Sequence, residues 1–228
     1  MARYAISDIH GCCHTFKKLL FDTLKLQKTD ELYLLGDYID RGPDSKGVID
    51  LILKLKEDDY QVQCLMGNHE MMMISLLDEG NYDKFNWRFQ GGEETLKSFN
   101  TNYIGDIPDN YLSFIKNLPL FFELEDYFLV HAGFRFQKSG FLDDEMSMLW
   151  IRNWHYTIRP ELLGGKVIIH GHTPTPKNEI EKMLEATPFL VLDIDAGCVY
   201  NNFHGMGYLC AFNMDDQTLV FEPNIDQS

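Results

Sequence analysis

The sequence predicts an α/β fold opening with a βαβαβ unit. Three observations predict it: short apolar runs alternate with amphipathic stretches through the first part, strand-like runs crowd the second half, and Asp, Asn and His residues stand where those runs stop. ARYAIS reads as a strand. Residues 12–26 read as a helix with Phe16, Leu19, Leu20 and Leu24 on one face, ELYLLG as a strand, and residues 44–57 as a second helix with Val48, Ile49, Ile52 and Leu55 inward. In YQVQCLMG, Val62, Cys64 and Met66 alternate as in a strand. The helical crossovers make these three strands parallel. Residues 71–117 read as mostly helical, with an aromatic-rich stretch and a Gly-Gly break. PLFFELE and YFLVHAG then form a strand pair, a mixed stretch surrounds Leu149 to Arg159, and KVIIHGH, FLVLDID, MGYLCAFN and TLVFE add further strands.

With 228 residues, 45% of them hydrophobic and 24% charged, the chain is expected to form a single domain over residues 1–228, its two halves layered on one core. Its five cysteines form no CxxC pair, which points to a reducing, cytoplasmic compartment without disulfides. No run approaches the ~20 apolar residues of a membrane helix, so neither signal peptide nor anchor is expected. A net charge of −15 argues against nucleic-acid binding, which needs clustered Lys and Arg. It leaves room for a phosphate substrate only if the attraction is local, from metal cations and one or two arginines in a cleft.

SDIHG, GDYIDRG, GNHE, HAG and GHT each begin where an apolar strand ends. Ligands of open α/β sheets bind beyond the carboxyl ends of strands, so these loops are expected to converge. Asp, neutral His and an Asn carbonyl suit hard or borderline divalent cations, and the flanking glycines allow sharp turns.

This ordered set resembles the calcineurin-like metallophosphoesterases, in particular the phosphoprotein phosphatase branch with its compact bacterial and phage serine/threonine phosphatases. Their GDxHG stands here as SDIHG, with Ser7 at a non-ligand position. GDxxDRG is intact from Gly36 to Gly42, GNHE from Gly67 to Glu70, and IDAGCVY near residue 194 resembles a further strand of the family. The resemblance implies a central β-sandwich of mixed sheets flanked by helices, and two divalent metal ions, Mn²⁺ favoured with Fe or Zn²⁺ as alternatives. It implies that Asp8 and His10 hold the first metal, that Asp37 bridges both, and that Asn68, His131 and His172 complete the second. Asn68 also contacts the substrate phosphate. A water activated between the metals attacks, and His69 protonates the leaving group while Asp40 orients it and keeps it cationic. Arg41 is a phosphate clamp; Arg152, in LWIR, resembles the second, with Arg159 and Arg135 as competitors.

Residues outside the signatures receive blander readings. His170 is expected to hydrogen-bond beside the site rather than ligate, His14, His155 and His204 receive no role, and Met71 to Met73 are read as packing. The leading expectation is a phosphomonoesterase acting on phosphoserine or phosphothreonine in proteins, because LWIR resembles that group and large nucleotide-binding elements are not evident. The alternative is a diadenosine tetraphosphatase or related nucleotide hydrolase, whose base the stretch from Tyr82 to Phe89, with Phe85, Trp87 and Arg88, would hold; core packing accounts for these aromatics equally well. A catalytically silent phosphate-binding scaffold is the third reading, disfavoured because every motif position carries a competent residue. Substrates are thus phosphorylated proteins or small phosphate esters, and no partner protein is indicated.

Overall fold

The computed structural model describes residues 1–78, 84–137 and 140–226. Its nine described strands form two mixed sheets. In the first, β1 (Arg3–Ile6), β2 (Glu31–Leu34) and β3 (Gln61–Cys64) run parallel, and β8 (Tyr208–Asn213) and β9 (Thr218–Pro223) extend it antiparallel in the order β3-β2-β1-β8-β9. The second has the order β4 (Phe121–Glu123), β5 (Tyr127–Val130), β6 (Val167–His170), β7 (Val191–Asp193). There β4 and β5 pair antiparallel, as the sequence predicts, and β5, β6 and β7 run parallel.

The period of two along each strand sorts side chains between layers. On β2, Leu32 and Leu34 face the helices, where they pack with Phe16, Leu19, Val48 and Ile52. Tyr33 and the following Leu35 face the other way, joining Leu129, Ile169 and Leu192 of the second sheet and Phe212 of β8 in the sandwich interior. A third cluster, with Phe128, Phe134, Phe136, Met148 and Trp154, covers the far face of the second sheet.

The helices are α1 (Cys13–Lys18, continued by a wider turn over Leu19–Thr23), α2 (Ser45–Glu57), α3 (Asn68–Asp78), α4 (Lys84–Trp87), α5 (Glu93–Ser98), α6 (Asp109–Lys116), α7 (Glu145–Trp150) and α8 (Lys177–Leu184). Asp44 caps α2 by accepting from Gly47 N at 2.8 Å. Met72 and Met73 are buried core residues, in keeping with their reading as packing.

Three details depart from expectation. Helix α8 escaped the sequence reading because among its eight residues only Ile180 is buried, too little to register as a 3.6 period. Helix α7 lies at the edge of a stretch read only as mixed. IDAGCVY does not continue as a strand: β7 stops at Asp193, whose side chain accepts from Asp195 N at 3.0 Å, and Gly197 turns the backbone at φ 62°. No described helix is long and apolar enough to cross a membrane, and all five cysteines are free.

Candidate active site

Register positions the loops. Ile6 pairs with Leu34 and Leu34 with Cys64, so β1, β2 and β3 end level, and the loops carrying Asp8, Asp37 and Asn68 leave the same edge. In the second sheet His170 pairs with Asp193 at a matching edge. Gly36, at φ 104°, is required by closeness as well as by conformation, since a Cβ there would fall 2.5 Å from Gly67 N. Glycine is only part of the device. His10, Asp37, Asp40, Arg41 and His172 themselves have left-handed backbones, with φ between 45° and 72°. Such residues cost on the order of 1–3 kcal/mol each and persist only where the surroundings over-determine them.

Those surroundings are visible. Ile9 N and His10 N both donate to Asp37 O, at 3.0 and 2.8 Å. The fully buried Glu70 accepts from Asp37 N (2.8 Å) and Gly67 N (3.0 Å) on one carboxylate oxygen, and from Tyr38 N (2.8 Å) and Ile39 N (3.3 Å) on the other. Burial, then the charge of Asp37, pushes its carboxyl up to about 8. The sequence reading assigned Glu70 no role; its place in GNHE, in the first turn of α3, was the signal.

Two groups of donors share Asp37. His10, Asp37 and His69 each place a ligand atom within 4.8 Å of the others, as do Asp37, His131 and His172. The sharing is divided between oxygens: His10 Nε2 lies 3.5 Å from Oδ2, and His131 Nε2 lies 3.5 Å from Oδ1. Asn68 Oδ1 joins the second group, 3.0 Å from His131 Nε2 and 2.9 Å from His172 Nδ1. The Asp8 carboxylate accepts from Ser7 Oγ and, at 3.1 and 3.2 Å, from His172 N.

The donor set fits divalent cations. His10 Nδ1 and His131 Nδ1 each sit 2.9 Å from a backbone carbonyl, of Ile39 and Leu35, so each ring donates there and leaves Nε2 as its acceptor: that of His10 meets Arg41 Nη1 at 2.5 Å, and that of His131 lies 3.0 Å from Asn68 Oδ1 and 3.5 Å from Asp37 Oδ1. At His131 that lone pair faces two oxygens, of Asn68 and Asp37, which repel it unless a cation lies between them. Burial also pushes His10 and His172 far below the usual imidazole range. His172 meets the group through Nδ1, the nitrogen 2.9 Å from Asn68 Oδ1.

His69 sits at the edge of this cluster, its Nε2 4.0 Å from Asp37 Oδ2 and its Nδ1 2.6 Å from Asp40 Oδ2. Asp40 also accepts from Trp87 Nε1 (2.8 Å) and Thr95 Oγ1 (2.6 Å). Burial pushes His69 down to about 4 against the opposing charge of Asp37, and burial pushes Asp40 up. The 2.6 Å contact between Asp40 Oδ2 and His69 Nδ1 orients the ring.

Trp87 is 1% exposed and spent on Asp40, so it offers no face to a base, while Arg88 donates to Asn102 O (2.6 Å) and pairs with Glu93 (3.3 Å). Tyr82 and the side chain of Phe85 lie outside the described residues. Arg41 Nη1 is 2.5 Å from His10 Nε2, and Arg152 Nη1 donates to His172 O and Thr173 Oγ1, both at 3.0 Å. The competitors are engaged elsewhere: Arg159 with Glu161 at 2.9 Å, Arg135 with Asp144 at 3.7 Å. His170 does not join His172, because β6 ends and the chain turns between them. Its Nε2 meets His155 Nε2 at 2.7 Å instead.

A mixed two-sheet sandwich with Asp, Asn and His donors converging at strand ends defines a metallohydrolase class. The chain belongs to the calcineurin-like phosphoesterase family, whose model matches residues 1–196, and this membership implies divalent metal ions. Among curated relatives, it is 33% identical over 135 residues (58% of this chain, 44% of the other) to a protein from Dechloromonas aromatica named bis(5'-nucleosyl)-tetraphosphatase, symmetrical. A Nitrosomonas europaea protein of the same name is 27% identical over 177 residues, covering 75% of this chain and 60% of its own. The chain thus spans less than two thirds of the length of these relatives. Among solved structures, one described as a candidate diadenosine tetraphosphatase superposes with a TM-score of 0.67 at 19% identity, over 99% of this chain and 94% of the other. A serine/threonine phosphatase from Saccharomyces cerevisiae gives 0.65 at 16%, over 100% and 81%. Both show the shared fold.

These relatives overturn the expectation of a serine/threonine protein phosphatase. LWIR, which suggested it, sets a guanidinium against the His172 loop. A guanidinium placed there carries no information about what a phosphate would be attached to.

Proposed function

We propose that the chain hydrolyses dinucleoside tetraphosphates at the central anhydride, releasing two nucleoside diphosphates. The metal chemistry is supported by Asp37, whose two oxygens face two donor groups. The choice of substrate is carried by the relatives named symmetrical tetraphosphatases.

In this reading Asp37, Asp8, His10, Asn68, His131 and His172 hold two divalent metal ions, with Mn²⁺ favoured over Fe or Zn²⁺. The ions, when bound, activate water and neutralise phosphoryl charge. Arg41 and Arg152 grip the phosphoryl oxygens from opposite loops, and Asn68 adds its amide. His69, its Nδ1 donating to Asp40, gives the departing diphosphate a proton from Nε2 when the ring is protonated on both nitrogens. A chain of net charge −15 repels a polyanion at long range, so the two arginines supply the protein's local attraction. Incubation with diadenosine tetraphosphate and Mn²⁺, Fe²⁺ or Zn²⁺ in turn is expected to release ADP, with release stopped by chelator. Unchanged dinucleotide with every metal, or products other than ADP, overturns the reading.

A further inference from the structure

A cleft of about 350 Å³ opens beside the donor cluster, and Arg41 forms its inner end. The same guanidinium that lies 2.5 Å from His10 Nε2 has its carbon 5.7 Å from the centre of the Tyr200 ring. Arg41 thus links the donor cluster to the Tyr200 ring that lines the cleft.

That wall is braced. Phe203 meets Tyr200 edge-on at 5.7 Å and 88°, and Pro174 and Met206 line a small apolar recess with both rings. The loop is closed by backbone hydrogen bonds, Tyr200 N and Gly207 N both donating to Gly197 O at 2.8 and 3.0 Å. Across the cleft stands Phe89, 74% exposed. The polar lining is equally fixed: Asn224 Nδ2 donates to Cys198 O (2.7 Å) and Asn201 Oδ1 (3.2 Å), which occupies the carboxamide oxygen of Asn201 and leaves its NH₂ to donate.

We propose that this cleft is a nucleoside subsite. The base stacks on Tyr200, its edge is read by Asn201, and its phosphate chain runs through Arg41 to the metal donors. One preformed aromatic face, a few oriented amides and a volume in the ~300–1,000 Å³ range suit a small planar heterocycle, and base stacking of this kind is worth about tenfold or more in affinity. The inference rests on the dinucleotide reading above for its biological sense, and its test is independent of turnover.

The full chain, stripped of metal by chelator so that neither ligand is consumed, is titrated calorimetrically with adenosine 5′-monophosphate and with ribose 5-phosphate, which differ only in the base. The nucleotide is expected to bind about tenfold tighter or more. Tyr200→Leu, which keeps bulk but removes the ring, should abolish that preference, and Tyr200→Phe should retain it. If Tyr200→Leu does not fold, Asn201→Ala reads the same preference, which should shrink. Equal affinities in the wild type, or a preference that survives both Tyr200→Leu and Asn201→Ala, overturns the subsite. Base preference without ADP release from diadenosine tetraphosphate upholds the subsite and defeats only the proposed reaction. Release without base preference does the reverse.

Discussion

The two sheets contribute to the site in different ways. The first supplies Asp8, His10, Asp37, Asp40, Arg41, Asn68 and His69 from the ends of three neighbouring parallel strands, and these loops lock one another through the Asp37 carbonyl and the Glu70 carboxylate. The second supplies His131 and His172, and both lean on the first: His131 Nδ1 on Leu35 O, His172 N on Asp8, and both rings on Asn68 Oδ1. One half is a self-supporting frame. The other delivers imidazoles to it, and Asp37 lies on the seam.

That asymmetry has measurable consequences. Asp37→Ala should have the largest effect, abolishing activity and removing both metals, because both groups lose their common carboxylate; His131→Ala should cost only the second-group metal. Metal analysis of the two purified variants distinguishes them, and equal losses would mean the seam is not where we place it. His69→Asn should lower kcat by ~10²-fold or more with metal content unchanged. Loss of metal instead would make His69 a ligand, a possibility its grouping with His10 and Asp37 allows.

Glu70→Gln tests the frame itself. The amide oxygen can accept while the amide nitrogen cannot, so two backbone N–H groups lose their partner, and urea unfolding should show a loss of ~1–3 kcal/mol. The mildest effect is expected in the second sheet. Burial, then the neighbouring His155, pushes His170 down to about 3 from an unfolded value near 6.5. The unfolded chain therefore takes up a proton below pH 6.5 that the folded protein refuses until about 3, and stability is lost as pH falls through that window. His170→Gln should flatten this part of the pH profile of the urea midpoint; an unaltered slope would mean that His170 is not the group responsible.

The unequal halves also explain what could be read without coordinates. The βαβαβ unit and its motifs were legible because helical and strand periods are local, and because parallel strands must deliver their following loops to one edge. Asp37 as the shared carboxylate, and the preference for His172 over His170, came from motif resemblance rather than from any period along the chain. Only the tertiary structure decided that Glu70 ties the loops of the first sheet together and that Trp87 serves Asp40. It alone joined Arg41 to Tyr200 across a cleft. Each of these depends on residues distant in sequence meeting in space, which leaves no period along the chain. The sequence by itself determined which side chains were available and at which strand ends they would emerge; packing of the two sheets decided which atoms face one another, because orientation and burial are properties of the assembled core.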